Sequence, residues 1–244
     1  MKQIEIRHHL SDALLMAYSA GSLPEAFSLT VAAHVSMCDE CRARMGAFDT
    51  VGGALIEGCA AAELSSDSLQ ATLALIAAED AKPVASGLRT GSHTGAHTGP
   101  HTEAHTGAHT GPRTPPRKGI LPAPVQAYVG GDLDAVRWRR VGMGMKQAIL
   151  PTGGKAMARL LYIPAGVAVP DHGHNGTELT LVLQGAFEDE VDHFGHGDIE
   201  VSDETLDHTP VADIGADCIC LAATDAPLRF HGLLARLAQP FLRI

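Results

Sequence analysis

A low-complexity repeat near the middle of the chain limits the fold more than any other feature of the sequence. Between Ser92 and Pro112 a four-residue unit, His-Thr-Gly-Ala with variants, places a histidine at every fourth position. The repeated histidines are His93, His97, His101, His105 and His109. A segment so rich in glycine, proline and threonine cannot bury a core or sustain a helix. We therefore predict a linker between two domains, although histidine tracts also bind Ni, Cu or Zn, which leaves a metal-buffering role open.

The residues before the repeat predict a small helical domain. We expect helices that begin in turn near Ser11, Ser22, Asp39 and Ser68. The second start, Ser-Leu-Pro-Glu, is typical of a capping box with proline in the first turn. The fourth helix has Leu69, Leu73 and Ile76 at helical spacing, a pattern more typical of core than of a binding face. In so small a domain, however, one such helix could be left to dock on a partner.

His34, Cys38 and Cys41 form the most informative short motif of this helical region. At this spacing, the end of a helix and the following turn can point one imidazole and two thiolates at a zinc ion. A structural zinc site takes four ligands, and the nearest candidates for the fourth are His8 and His9. We favour His9, because the short helix that follows it can carry it back against His34. Without a metal, the motif would be two buried thiols and a surface histidine.

Charge and cysteine usage predict a soluble, cytoplasmic protein that does not bind nucleic acid. The formal net charge is −10, and residues 1–82 carry 11 acidic and 5 basic side chains while residues 120–244 carry 16 and 9. Acidic blocks match phosphates poorly but suit a basic protein partner. The chain has 5 cysteines, an odd number that favours reduced thiols or metal ligands over disulfides. It has no uncharged apolar run long enough to span a bilayer.

From Ile120 onward, short apolar alternations broken by Gly, Pro and Asp predict an all-β sandwich or barrel. Residues 158–163 and 177–184 are two of the expected strands. The second has a leucine at every other position, at residues 179, 181 and 183, and therefore presents its leucines on one face. The pattern of residues 231–244 does not decide between a helical turn and an edge strand.

A second candidate metal site lies in this region, in the pattern Gly-x5-His-x-His-x3-Glu-x6-Gly between residues 166 and 185. His172 and His174 are two apart and point to the same side of an extended segment, and Glu178 follows on the next strand. Candidates for a fourth ligand, the best placed first, are His208, His193 and His196. Three histidines and one glutamate suit Zn, Fe, Mn or Ni.

Two further pairs of residues near this site have weaker signals. Cys218 and Cys220 are two apart on a predicted strand and face one way, which favours two buried thiols near the barrel interior. Glu204 and Asp207 are the only evident candidates for a general acid or base. We expect them to be solvated loop carboxylates, and we therefore predict no catalytic residue.

The pattern between residues 166 and 185 resembles the first cupin motif at every fixed position. Gly197, Asp198 and His208 resemble part of the second cupin motif, without its proline, glycine and terminal asparagine. The N-terminal segment contains Ile-Arg-His-His. Together with this segment and the cupin motifs, the whole chain resembles the ChrR family of zinc-binding anti-sigma factors, except across residues 85–119. The resemblance implies a multidomain α + β chain with three parts: a small all-α zinc-stapled helical domain (1–84), a low-complexity linker (85–119) and an all-β cupin (jelly-roll) domain (120–244).

The family resemblance also implies a function. The helical domain of such a protein binds an ECF-type sigma factor and keeps it from RNA polymerase, and the cupin domain is needed for the response to singlet oxygen and related oxidants. Carried over by position, the metal ligands fall into two sets of four: His9, His34, Cys38 and Cys41 for the helical-domain zinc, and His172, His174, Glu178 and His208 for a cupin-domain zinc or other divalent ion. No direct contact with nucleic acid or membrane is expected.

An enzyme is the alternative function. A metal cupin with an open coordination position could act as a dioxygenase or a hydrolase, with the helical domain as an accessory module. Under this alternative, residues 1–80 would have no role of their own.

Overall fold

The computed structural model describes residues 5–80 and 119–230 of the chain. The described residues divide into two compact units, residues 5–52 with 119–230 and residues 53–80. The predicted histidine-rich linker and residues 231–244 lie outside the described part, and the predicted domain bounds stay a prediction. Within the described ranges, no helix is both long and apolar enough to cross a bilayer.

Four helices occupy the described residues up to 80, as the sequence predicts: α1 (Asp12–Ser19), α2 (Glu25–Met37), α3 (Asp39–Glu57) and α4 (Ser68–Asp80). The side chain of Ser11 caps α1 by accepting a hydrogen bond from the backbone N–H of Leu14. Helices α1 and α2 and most of α3 belong to the first unit, whereas α4 belongs to the second.

The predicted capping box at the start of α2 is wrong. The residue at the N-cap is Pro24, which has no side-chain acceptor to offer. The Ser22 hydroxyl instead donates a hydrogen bond to the Ala17 carbonyl at 3.0 Å, at the end of α1. The Glu25 carboxylate accepts hydrogen bonds from the Tyr128 hydroxyl at 2.6 Å and the Gly153 N–H at 2.5 Å. Long-range contacts have therefore replaced the local cap.

The described residues from 119 onward form the predicted all-β region, after a short helix α5 (Ala123–Val129) and a 3-10 turn (Leu133–Ala135). Its strands are β1 (Arg139–Gly142), β2 (Met145–Ile149), β3 (Met157–Ile163), β4 (His172–His174), β5 (Glu178–Gln184), β6 (Phe187–Glu188), β7 (His193–Phe194), β8 (Ile199–Ser202), β9 (Asp207–His208), β10 (Val211–Ala212), β11 (Cys218–Thr224) and β12 (Leu228–Phe230). They pair antiparallel in sheets of order β1-β2-β3-β11-β5-β8, β10-β6-β7 and β12-β4-β9.

Strands β5 and β11, neighbours in the interior of the six-stranded sheet, are buried on both faces because two different layers cover them. On one face, Leu181 and Leu221 share an apolar core with Val31 of α2. On the other face, Val182 and Cys220 pack in a second core with residues of the β10-β6-β7 sheet. Side chains alternate along a strand, so each strand serves both cores. The prediction that the leucines of β5 share a face is confirmed, and that face meets α2.

The second unit has little buried apolar surface within its described residues. It contains the last turn of α3 and all of α4. Large apolar side chains here are 54–80% exposed: Leu55, Ile56, Leu64, Leu69, Leu73, Leu75 and Ile76. The predicted apolar stripe on α4 is therefore a solvent-facing surface in this chain.

Two candidate metal centres

The N-terminal candidate centre consists of His9, His34, Cys38 and Cys41, whose donor atoms all lie within 4.8 Å of one another. The His34 Nε2 lies 3.3 Å from the Cys41 Sγ. The His9 Nδ1 lies 3.3 Å from the Cys38 Sγ and 3.6 Å from the Cys41 Sγ. The structure thus brings together the four residues that the sequence and the family resemblance single out.

These distances fit a tetrahedral ion. Metal–nitrogen bonds of about 2.0–2.1 Å and metal–sulfur bonds of about 2.3 Å place neighbouring ligand atoms roughly 3.3–3.8 Å apart in a tetrahedron. The observed separations of 3.3–3.6 Å lie within this range. The other three donor–donor separations are at most 4.8 Å, so the two imidazoles and two sulfurs surround a space that suits such an ion.

The elements around this centre explain its geometry. His34 lies in the last turn of α2, and Cys38, the C-cap residue, has an extended backbone that turns the chain toward Cys41 at the start of α3. The ring of His34 is fixed by its Nδ1–H, which donates a hydrogen bond to the Gly197 carbonyl at 3.0 Å. A carbonyl only accepts, so the lone pair of His34 is on Nε2, which faces the sulfurs.

The protonation states of the two buried ligands follow from their surroundings. Burial lowers the pKa of His34 to about 4, against a smaller opposing effect of the hydrogen bond to Gly197. The imidazole is therefore neutral at neutral pH and free to bind a metal. Burial also raises the pKa of Cys41 to about 11. A metal that binds this thiol must displace its proton.

His8, the competing candidate, lies outside this cluster. Its ring packs on Phe194 with centroids 4.4 Å apart, and its Nε2 lies 3.1 Å from a carboxylate oxygen of Asp192. Its Nδ1 lies 3.4 Å from the Asp198 carboxylate. His8 thus holds the N-terminal segment against the β-domain, while His9 faces the sulfurs.

The second candidate centre consists of His172, His174 and His208. The His208 Nε2 lies 3.3 Å from the Nε2 of each of the other two histidines. Strands β4 and β9 are neighbours with His172 opposite His208, which places all three rings on one face. Burial lowers the pKa of both His172 and His174. The 3.3 Å separations match those of imidazoles around an ion with bonds of about 2.0–2.1 Å.

Glu178 lies beside the three histidines but outside the group whose donor atoms are all mutually close. One of its oxygens accepts a hydrogen bond from the Thr180 hydroxyl at 2.9 Å. The other, Oε2, lies 3.6 Å from the His174 Nδ1, and neither of these two buried atoms has a hydrogen-bond partner among the described residues. Buried polar atoms without partners are costly, and a bound ion or water would relieve that cost.

Two carboxylates behind His208 have no signal in the sequence patterns above. The Asp189 Oδ2 lies 2.7 Å from the His208 Nδ1, and the Glu200 Oε1 lies 3.3 Å from the same atom. Burial raises the pKa of Glu200 to about 7. Burial alone would lower the pKa of His208, but the two carboxylates outweigh it and raise this pKa to about 9. An ion on Nε2 would leave the Nδ1–H as the donor to Asp189, which orients the ring.

The other candidates from the sequence lie away from the three-histidine group. His193 pairs with Asp213, its Nε2 3.0 Å from the carboxylate, and His196 is in neither candidate centre. Glu204 and Asp207 are exposed, as expected, but Asp207 lies on strand β9 rather than in a loop and pairs with an arginine.

A cavity of about 190 Å³ opens beside the second centre. His172, Glu178 and His208 line one side, and the remaining walls are largely apolar, with Phe187 and Cys220 among them. The thiols of Cys218 and Cys220 are buried with their sulfurs 3.5 Å apart. The cavity has room for a small organic molecule next to this centre, but its walls offer few polar groups to bind one.

Comparisons with known proteins agree with this arrangement. Residues 126–226 match the family described as ChrR Cupin-like domain. The chain is 56% identical over 239 residues to the Anti-sigma-E factor ChrR of Cereibacter sphaeroides, which covers 98% of this chain and 99% of that protein. It is also similar to the crystal structure of Rhodobacter sphaeroides SigE in complex with the anti-sigma ChrR, with a TM-score of 0.70, 53% identity, and coverage of 91% of this chain and 100% of that one.

Proposed function

Because the chain belongs to the ChrR family of anti-sigma factors, we propose that it is an anti-sigma factor that binds and inhibits an ECF-type sigma factor. We further propose that it releases this partner in response to oxidative stress such as singlet oxygen, with the cupin domain as sensor. The observation that carries the proposal is 56% identity to an anti-sigma factor along the whole of both chains. A cupin enzyme has no comparable support, since that relative is not an enzyme.

We propose zinc at the N-terminal centre, with His9, His34, Cys38 and Cys41 as its ligands. Two thiolates and two imidazoles at tetrahedral distances are the donor set of structural zinc sites. When bound, zinc would hold the N-terminal segment, the end of α2 and the start of α3 together. It thereby adds its binding free energy to folding.

At the cupin centre we propose a divalent ion held by His172, His174 and His208, with Glu178 as the fourth ligand. Imidazole-rich sites suit Zn, Fe, Mn and Ni alike, so these ligands do not select one metal. The adjoining cavity gives a small oxidant access to the ion and its ligands. The division of the chain into a helical domain (1–84), a linker (85–119) and a cupin domain (120–244) belongs to the same proposal.

The described residues of the second unit supply a surface for the sigma factor. Their large apolar side chains are more than half exposed, and residues 53–80 contain five acidic side chains and no basic one. Exposed apolar area of this extent typically marks a protein interface. Its acidic surroundings suit a partner whose polymerase- and DNA-facing surfaces are basic.

The proposal is tested by co-expression of the full chain with ECF-type sigma factors of the same genome, followed by affinity capture. We expect one of them to co-purify, and we expect the double variant Leu69→Asp, Leu73→Asp to lose it. Ile214→Asp is the control, because Ile214 is 92% exposed and belongs to the β-domain rather than to α4. Capture of no sigma factor, or equal capture by both variants, would contradict the proposal.

A further inference from the structure

Residues 195–200 touch both candidate metal centres. The Gly197 carbonyl accepts the Nδ1–H of His34, Asp198 binds the segment that carries His9, and Glu200 lies 3.3 Å from the ring of His208. We propose that this bridging segment, residues 195–200, couples the two centres, so that a change at the cupin ion alters the affinity of the N-terminal centre for its own ion. Its regulatory meaning rests on the proposed function, but the coupling itself is a property of this chain alone.

The N-terminal end of the coupling is the Asp198 carboxylate, which is buried in a residue only 2% exposed. Its Oδ1 accepts hydrogen bonds from the backbone N–H of Arg7 at 2.6 Å and of His8 at 2.9 Å. The backbone N–H of Ile199 in turn donates to the His8 carbonyl at 3.3 Å. These bonds fix the two residues just before His9, and they therefore position its imidazole.

Gly197 makes a second, independent link to the same centre. Its carbonyl sets the tautomer and the orientation of the His34 ring. Its backbone has φ +90°, and an added Cβ would lie 2.7 Å from the Cδ1 of Ile6. Ile6 thus packs directly against the glycine backbone, where a larger residue has no room. Two of the four N-terminal ligands, His9 and His34, consequently depend on adjacent residues of the bridging segment.

The cupin end of the coupling is Glu200 on β8. It is two residues from Asp198, about 7 Å along an extended chain. Its carboxylate and that of Asp189 flank the His208 Nδ1, so the position of the His208 ring constrains the start of β8. β8 is itself held by pairing with β5 over residues 199–202. The Glu200 carboxylate thus ties the His208 ring to the strand that directly follows Gly197 and Asp198 in the chain.

This route does not pass through the predicted linker. It runs within one compact unit, from the ion pair of His208 with Glu200, along the backbone of residues 198–200, to the hydrogen bonds that Asp198 accepts from residues 7 and 8. Coupling between two binding sites is reciprocal, so each ion must change the affinity for the other by the same factor. The change in metal affinity at one centre can therefore be measured on this chain alone, without any sigma factor.

The test uses the full chain, free of sigma factor and loaded with Co²⁺, because only the N-terminal centre gives sulfur-to-cobalt charge-transfer absorption. A competing chelator is titrated in, and the loss of this absorption at equilibrium gives the cobalt affinity of the N-terminal centre. In the double variant His172→Ala, His174→Ala, which cannot hold the cupin ion, we expect this affinity to change by about fivefold or more. The same double substitution in a chain that lacks residues 92–112 should change the affinity by the same factor. An unchanged affinity in the double variant, or an effect that vanishes on removal of the repeat, would overturn the proposal.

Asp198→Ala tests the bridging segment directly. We expect about tenfold weaker cobalt binding at the N-terminal centre, as is usual when a group that positions a ligand is removed. Asp132→Ala is the control, since Asp132 accepts two backbone N–H bonds, from Ile120 at 3.0 Å and Leu121 at 2.9 Å, where Asp198 accepts three, and Asp132 touches neither centre. Equal loss in both variants would count against the proposal.

Glu200→Gln provides the decisive test if Asp198→Ala does not fold. Glu200 touches none of the four N-terminal ligands, so a purely local role predicts no effect on the cobalt affinity of the N-terminal centre. We expect this affinity to change by about fivefold. An affinity equal to that of the unmodified protein would refute coupling through residues 195–200.

Discussion

Leu221→Ala probes the shared core between the N-terminal helices and the β-domain. Leu221 is 0% exposed, lies on the central strand β11, and packs on the face that meets α2. Truncation removes three carbons, worth about 2.4 kcal/mol at roughly 0.8 kcal/mol for each buried methylene. The cavity left behind brings the expected loss in the free energy of unfolding to about 3–4 kcal/mol. At the m-values of proteins of this size, that loss lowers the urea midpoint by roughly 1 M.

The assay is urea unfolding of the cobalt-loaded chain, followed by circular dichroism and by the thiolate–cobalt absorption of the N-terminal centre. If α2 and the sheet share one core, both signals shift together in Leu221→Ala. The control is Leu64→Ala, because the Leu64 side chain is 80% exposed. Its free energy of unfolding should change by no more than about 0.5 kcal/mol. A shift in circular dichroism with no shift in the cobalt signal would refute the shared core.

Three further predictions concern the metal centres. Cys38→Ser with Cys41→Ser should lower the zinc content by one ion per chain and abolish capture of the sigma factor. Cys59→Ser, at an exposed cysteine, should change neither. Zinc retained by the double variant would exclude Cys38 and Cys41 as ligands. His172→Ala with His174→Ala should abolish release of the sigma factor by singlet oxygen while leaving its capture intact, and lost capture would contradict a purely sensory cupin. Because burial raises the pKa of Cys41 to about 11, metal binding at pH 7 must release the thiol proton, and the metal affinity must fall as the pH falls. Calorimetry in buffers of different ionisation enthalpy measures this proton release. A binding enthalpy that is independent of the buffer would exclude proton release.

The sequence alone determined the local features of the molecule. The spacing of His34, Cys38 and Cys41 spans one helix end and one turn, so their convergence depends on local geometry that a single chain segment specifies. His172 and His174 share a strand face for the same local reason. The starts of α1, α3 and α4 were also predicted, because capping and propensity act over a few residues.

Only the tertiary structure decided which distant groups complete these sites. Alternation predicts that the leucines of β5 share a face, but only packing reveals that this face meets α2. Asp189 and Glu200 have no signal in the sequence patterns, and only the packing of the folded chain brings both to His208. Gly197 and Asp198 belong to a recognisable motif, yet their hydrogen bonds to His34 and to residues 7–8 span more than 160 residues of chain. Such contacts depend on how separate elements pack, which local sequence patterns do not encode.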